Sequence, residues 1–96
     1  MISLLSKIPT NLEKIDKDNL NKEILRAGII AELDAINLYG QMAAMTNDSN
    51  IKRILLDIAK EEKTHVGEFQ TLLLKNDKEQ EKELKEGRKE VNELNG

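Results

Sequence analysis

Several residue types are scarce or absent in this chain of 96 residues, and each absence excludes a class of protein. There is no cysteine, which excludes disulfides, thiolate zinc sites and iron–sulfur clusters together. One proline, five glycines and only two aromatic residues, Tyr39 and Phe69, argue against a sheet protein, which needs turn formers and aromatic side chains. The length and composition predict one small all-α domain over residues 1–96.

Long apolar runs and a basic surface are absent as well. No stretch approaches the roughly 20 apolar residues that span a bilayer, and residues 1–5 are too short for the core of a signal peptide. The net charge is -3, and the basic residues are scattered among acidic ones, unlike those of a nucleic-acid-binding surface. The sequence therefore predicts a soluble, cytoplasmic protein with no membrane and no nucleic-acid partner.

Apolar periodicity divides the chain into an arm and two long helices. Residues 1–17 mix short apolar runs with a proline and predict an irregular arm. Asp18 is a candidate N-cap, and helical periodicity then covers residues 20–45. The turn-forming cluster at residues 46–49 ends this first helix, and a second periodic stretch covers residues 50–75. The two stretches are joined by a short turn, which predicts an antiparallel pair.

The hairpin over residues 18–76 is followed by a segment of different character. Asp77 with Gln80 forms a capping-box-like start for a third helix, which occupies residues 77–96. This helix has few apolar residues, is interrupted by Gly87 and is rich in both signs of charge. Two interpretations remain open: a solvated helix or tail carrying i,i+4 charge pairs, or a helix that docks on a neighbouring subunit.

Two glutamates stand where apolar residues are expected. On a helical wheel, at about 100° per residue, Glu32 lies at the centre of the first apolar stripe and Glu62 at the centre of the second. His65 lies about 60° from Glu62 and shares its face. The stripes consist of Leu25, Ile29, Ala35, Ile36 and Ala43 in the first helix and of Leu55, Ile58, Val66, Phe69 and Leu73 in the second. Both glutamates therefore point at whatever the hairpin buries.

The chain itself offers no cation to balance these two glutamates. Burying an unpaired carboxylate costs several kcal/mol, and no Lys or Arg lies on either stripe near Glu32 or Glu62. The residues expected on the solvated faces are Asp34, Asn37, Lys52, Lys60 and Lys63. A cation from outside the chain is the natural resolution.

The spacing from the turn brings the candidate ligands to one level. Glu32 lies about 15 residues before the centre of the turn and Glu62 about 15 after it, so antiparallel helices place them side by side. Glu62-x-x-His65 facing a glutamate is the ligand set of ferritin-like di-iron bundles, although the motif alone is a weak signal. The alternative is an ordinary helical hairpin in which His65 is a satisfied core histidine and the glutamates snorkel.

The ligand set of one chain is half of a di-iron centre. A complete bundle has four helices, two that supply Glu and two that supply Glu-x-x-His, whereas this chain has one of each. A second copy related by a twofold axis would complete the ferritin-like four-helix bundle. The predicted dimer holds two irons at its axis, each bound by Glu62 and His65 of one chain and bridged by Glu32 from both.

Two segments resemble one known family. Residues 31–39 (Ala-Glu-Leu-Asp-Ala-Ile-Asn-Leu-Tyr), followed by residues 61–65 (Glu-Glu-Lys-Thr-His), strongly resemble the encapsulated ferritins, two-helix ferritin-like proteins housed in encapsulin nanocompartments. The resemblance covers residues 20–77. It implies a ferroxidase centre between two subunits, dimers assembled into a ring-shaped decamer, and Glu32, Glu62 and His65 as iron ligands.

The resemblance implies further roles and also shows departures. Tyr39 is implied to support a ligand carboxylate, and it falls about 20° from Glu32 on the wheel, although a plain core tyrosine fits too. Asp34 is implied to belong to a secondary site through which iron enters, but family members often carry a second acidic residue where this chain has Ala31. Members also often have Trp at the position of Leu38.

The function implied by the resemblance is oxidation of Fe(II) to Fe(III) by dioxygen or peroxide, with the ferric mineral stored inside an encapsulin shell. Calcium or zinc could substitute for iron at the same oxygens. Some family members are fused to the shell protein, so this sequence could be the ferritin-like part of such a fusion. Two alternatives remain: a di-iron peroxidase or oxidase resembling rubrerythrin, and a metal-free helical adaptor that oligomerises through its stripes.

Overall fold

The computed structural model describes residues 16–95, apart from the side chain of Asp18. Three α-helices follow one another in this range: α1 (Lys17–Met45), α2 (Ser49–Asn76) and α3 (Lys78–Asn95). The described residues contain no strand, which confirms the predicted all-α fold. The helices α1 and α2 pack against each other as a hairpin, and α3 packs mainly on α2. None of these described helices has an apolar stretch that could cross a membrane.

The short loop between α1 and α2 is held by hydrogen bonds to its own side chains. Oδ1 of Asp48 accepts hydrogen bonds from the backbone N–H groups of Asn50, at 2.9 Å, and Ile51, at 3.1 Å. Oγ1 of Thr46 accepts one from the backbone N–H of Asp48, at 3.1 Å. These bonds satisfy donors that the first turn of α2 leaves without helical partners. The predicted turn is confirmed, and α2 begins at Ser49, one residue before its predicted start.

Asp77 joins α3 to the rest of the fold. Its Oδ1 accepts a hydrogen bond from the backbone N–H of Gln80, at 3.0 Å, as the capping-box pattern predicts. Its Oδ2 lies 2.8 Å from the guanidinium of Arg26, so the start of α3 is tied to α1. The hydrogen bond from Gln80 and the charges of Lys22 and Arg26 lower the pKa of Asp77, against the opposing effect of its burial.

Two local predictions are wrong. Asp18 is not the N-cap of α1, because the helix begins at Lys17. The backbone N–H of Asn19 donates a hydrogen bond to the carbonyl of Asp16, at 2.9 Å, so residue 18 lies inside the first turn. Gly87 does not interrupt α3, which continues to Asn95. A single glycine weakens a helix by only about 1 kcal/mol, and most other residues of α3 are good helix formers. Most of the predicted arm, residues 1–15, lies outside the described residues.

The exposure of α3 agrees with the solvated-helix interpretation. None of its residues is buried, and Glu81 forms ion pairs with Lys78, at 3.5 Å, and Lys85, at 3.6 Å. The i,i+4 member of these, Glu81 with Lys85, is the kind of pair that the charge pattern predicts. A docking role for α3 stays a prediction.

The hairpin buries little on its own. Its buried apolar residues are Ala35, Ala43, Ala59 and Leu73, and no large side chain in the described part of the chain is fully buried. Large apolar side chains of α1 and α2 remain exposed, namely Ile24, Ile30, Leu33, Met45, Ile51, Ile54, Leu56 and Leu72. These exposed apolar side chains are available for contact with further protein.

Candidate metal centre

The hairpin brings the three predicted ligands together. Glu32 comes from the middle of α1, and Glu62 and His65 come from α2. Nδ1 of His65 lies 3.5 Å from Oε2 of Glu32 and 3.5 Å from Oε2 of Glu62. Each residue offers one ligand atom within 4.8 Å of the other two. The side-by-side placement predicted from the turn is therefore present, and the role of the three residues as metal ligands stays a prediction.

The distances in this cluster suit a shared cation better than direct hydrogen bonds. A separation of 3.5 Å exceeds the usual length of an N–H···O bond, about 2.7–3.2 Å. Donor atoms that each lie about 2.1 Å from one ion are separated by about 3.0–3.4 Å for octahedral or tetrahedral angles. An ion placed among the three side chains would therefore need only small side-chain movements.

One oxygen of the cluster is buried without a hydrogen-bond partner among the described residues. Oε2 of Glu32 has no hydrogen-bond donor within the described part of the chain. The side chains of Glu32 and Glu62 are only 19% and 11% exposed, and His65 is the one basic group within ion-pair distance of either in that part. A buried carboxylate oxygen in this state is unfavourable unless a cation or a donor reaches it. A bound metal ion would supply the missing partner.

Two features differ from those expected of an ordinary helical hairpin. A satisfied core histidine would be buried and hydrogen-bonded, whereas the His65 side chain is 45% exposed and makes no hydrogen bond with the described residues. Snorkelling glutamates would reach solvent, whereas Glu62 is buried. Two carboxylates and one imidazole form a donor set that suits iron, zinc or manganese, and the described cluster fits such an ion.

The cluster opens on a groove of about 300 Å³. Its walls are Glu32, His65, Glu68, Phe69 and Leu72. The presence of exposed Glu68 at this groove was not predicted, although its position three residues after His65 places it beside the same helix face. The open side means that one chain surrounds the proposed ion only in part.

The two residues implied only by family resemblance lie outside this cluster. Tyr39 is half-buried on α1, and no hydrogen bond among the described residues joins its hydroxyl to Glu32, Glu62 or His65. Its supporting role stays a prediction. Asp34 is 5% exposed, so its predicted placement on a solvated face is wrong. A helical wheel gives the direction of a side chain but not what packs over it. The role of Asp34 in iron uptake also stays a prediction.

Comparison with known proteins identifies relatives of this chain. The family model described as EncFtn-like matches residues 7–88. The ferritin-like–encapsulin shell fusion protein of Pyrococcus furiosus is 65% identical over 74 residues, which are 77% of this chain and 21% of that protein. The encapsulin nanocompartment cargo protein EncC of Myxococcus xanthus is 40% identical over 62 residues, 65% of this chain and 48% of that protein. The chain thus spans about a fifth and about half of these curated relatives.

The fold is also similar to a solved structure. The crystal structure of the encapsulated ferritin domain from Pyrococcus furiosus superposes with a TM-score of 0.80, at 56% sequence identity and over 94% of each chain. The hairpin and the third helix described above therefore form a ferritin-like helical fold. On the family match, the sequence identity and the shared fold together, the chain belongs to the EncFtn-like family of encapsulated ferritins.

Proposed function

We propose that this chain is a ferroxidase, which oxidises Fe(II) to Fe(III) at a di-iron centre formed between two copies and supplies ferric iron for storage inside an encapsulin compartment. One observation carries the proposal: the buried Oε2 of Glu32, which has no hydrogen-bond donor among residues 16–95, stands beside Glu62 and His65 with ligand atoms within 4.8 Å. The names of the two curated relatives, a shell fusion protein and a nanocompartment cargo protein, support the encapsulin part of the proposal.

Two copies are needed because one chain supplies too few ligands. A ferritin-like di-iron centre uses four glutamates and two histidines, and one chain offers two glutamates and one histidine at the cluster. In the proposed dimer, Glu62 and His65 of each copy hold one iron and the two Glu32 side chains bridge the pair. Exposed Leu72 lines the groove on which the cluster opens and supports this pairing, since a second hairpin placed there would cover it. Assembly of such dimers into a ring-shaped decamer is part of the proposal.

The side chains suit iron as a substrate that arrives reduced and leaves oxidised. Carboxylate oxygens are hard ligands and favour Fe(III) over Fe(II), which assists the loss of one electron from each iron to dioxygen or peroxide. With a single imidazole for each iron, ligand positions remain open to the oxidant. Glu32, Glu62 and His65 hold and orient the two irons. Calcium or zinc could bind the same donor atoms without being oxidised.

Two other functions would use the same surfaces differently. A di-iron peroxidase resembling rubrerythrin would bind metal at the same cluster but consume peroxide without making mineral. A metal-free adaptor would use only the exposed apolar faces. The buried oxygen of Glu32, which accepts no hydrogen bond from the described residues, argues against it. Iron binding separates the adaptor from both enzymes, and the reaction products separate the two enzymes.

The test is to add Fe(II) to the purified chain and to follow Fe(III) formation together with oxygen and peroxide consumption. Glu32→Gln keeps the shape of the side chain and removes its charge, and Glu61→Gln makes the same change at an exposed position beside the cluster. We expect Fe(III) to form faster than in buffer for the wild type and Glu61→Gln, and at the buffer rate for Glu32→Gln. Equal rates for all three proteins would overturn the proposal.

A further inference from the structure

Gly28 of α1 faces the aromatic ring of Phe69 of α2, close to the candidate metal centre. A Cβ atom placed on Gly28 would lie 3.2 Å from Cδ1, Cε1 and Cε2 of Phe69. Since these three ring atoms are equally distant from the added Cβ, the Cβ lies over the face of the ring. Ordinary van der Waals contact between carbon atoms requires about 3.5–4.0 Å. A side chain at residue 28 is therefore excluded unless the ring or one helix moves.

The backbone conformation does not explain a glycine at this position. No described glycine has a positive φ, so residue 28 has a conformation that any L-residue adopts. Glycine also destabilises the interior of a helix relative to alanine. The close approach of the Phe69 ring is thus the feature of the structure that requires Gly28.

This contact adjoins the ligand cluster on both helices. Gly28 precedes Glu32 by four residues and Phe69 follows His65 by four, so each lies one turn, about 6 Å, from a proposed ligand. Phe69 also forms a wall of the groove into which Glu32 and His65 open. Any shift of the ring or of the helix spacing at Gly28 is therefore passed directly to these two ligands.

We propose that Gly28 is a positioning residue for the metal centre, because it lets Phe69 pack against α1 and so holds Glu32 at the correct distance from Glu62 and His65. This inference rests on the proposed function. With alanine at residue 28, either the helices separate by a few tenths of an ångström or the ring turns into the groove. Metal sites tolerate little displacement of their ligands, and the loss of a supporting contact commonly weakens metal binding by about 10–100-fold.

The experiment compares Gly28→Ala with Gly67→Ala in the full chain. Gly67 is also inside a helix, is exposed, and would place a Cβ in open space, so its substitution changes helix propensity without a clash. Binding of Co(II) is measured by calorimetry and by its visible absorption, with thermal unfolding of the metal-free proteins in parallel. We expect Gly28→Ala to bind Co(II) about tenfold more weakly than both the wild type and Gly67→Ala, with an altered absorption spectrum.

Relief of the contact provides a second, independent measurement. Phe69→Leu removes the ring, so in its presence Gly28→Ala should no longer weaken Co(II) binding, and the double-variant cycle should show strong coupling. Phe69→Leu alone, which loosens the same spacing, should also bind Co(II) more weakly than the wild type. The inference is overturned if Gly28→Ala and Gly67→Ala bind Co(II) equally, or if the two effects are additive. Failure of the wild type to bind Co(II) would instead overturn the proposed function.

Discussion

Nδ1 of His65 lies 3.5 Å from Oε2 of Glu32, although the two residues belong to different helices. The short loop capped by Asp48 and the close packing of α1 on α2 produce this approach. The glutamate oxygen is buried and the histidine ring is partly open to the groove. This arrangement suits the proposed binding of a cation that enters from outside.

Loss of a proposed ligand should abolish activity and spare the fold. We expect Glu62→Ala and His65→Ala each to lower the rate of Fe(II) oxidation by more than about tenfold, since even the loss of a group that only supports a ligand has this effect. The melting temperature of metal-free Glu62→Ala should hold or rise, because removing this buried carboxylate relieves its repulsion with Glu32. That of metal-free His65→Ala should hold, because the ring is partly exposed. Stopped-flow absorbance and circular dichroism measure the two effects.

Glu61→Ala is the matched control for Glu62→Ala, since it removes the same charge from the next residue, which is exposed. It should oxidise iron at close to the wild-type rate. Wild-type activity in Glu62→Ala or His65→Ala would remove these residues from the site, and loss of helix content in the metal-free variants would show that they act on folding.

Metal binding and dimer formation should be linked, since each chain supplies half of the ligands. A ligand that binds only the assembled state stabilises it by about 2.7 kcal/mol at a hundredfold excess over its Kd. Iron, zinc or calcium should therefore shift monomer toward dimer or a larger ring in sedimentation velocity, and a chelator should reverse the shift. We expect Glu32→Ala to weaken this response most, because it removes both bridging carboxylates. If the sedimentation of the protein were the same with and without metal, the proposal that two copies share the site would be wrong.

The anchoring of α3 should depend on pH through Asp77. Its pKa in the fold is lowered from the ordinary value of 3.8, chiefly by the hydrogen bond from the Gln80 N–H. The charged carboxylate therefore stabilises the fold above that value, and this contribution is lost as the pH falls through it toward the lowered pKa. Asp77→Asn keeps a capping oxygen but no charge. Its melting temperature should therefore lie below that of the wild type at about pH 6, and the two should converge in strong acid, once the pH is below the lowered pKa.

Asp48→Asn controls for the substitution itself, because Asp48 caps α2 and forms no ion pair within the described residues. If the difference in melting temperature between the wild type and Asp77→Asn stayed the same in strong acid, the charge of Asp77 would not be its source.

Oxidation and storage should be separable. A chain that forms an open dimer or ring has no closed cavity for mineral, so the purified protein should oxidise iron and then precipitate it. Co-expression with a matching encapsulin should keep the mineral soluble inside the shell, which electron microscopy and iron analysis of purified shells would detect. Shells containing the His65→Ala variant are the control and should hold little iron. Soluble storage of large amounts of iron by the free chain would contradict this division of roles.

Much of the fold follows from local chemistry that the sequence displays. Asp48 and Asp77 end up as caps because short acidic side chains satisfy the free N–H groups of a helix start. Glu32, Glu62 and His65 were predicted to meet because helical periodicity and distance from the turn determine both face and level. Asp18 was misplaced because capping residues are common and only the backbone hydrogen bonds reveal which one begins the helix.

The remaining features depend on contacts between segments that are distant in the sequence. Wheel angles cannot show that Asp34 is covered or that Glu68 borders the groove. The ion pair of Arg26 with Asp77 links α1 to the start of α3, and neither residue alone indicates its partner. The packing of Phe69 on Gly28 likewise requires the actual helix separation, because a glycine inside a helix has several explanations from sequence alone.

Anomalous diffraction at the iron edge from an iron-soaked crystal would show whether two copies share one di-iron centre. We predict two iron peaks about 3.5–4 Å apart at a twofold axis, with Glu62 and His65 of each copy on one iron and Glu32 of both copies between them. Iron bound wholly within one chain, or no iron beside these three residues, would rule out the shared centre.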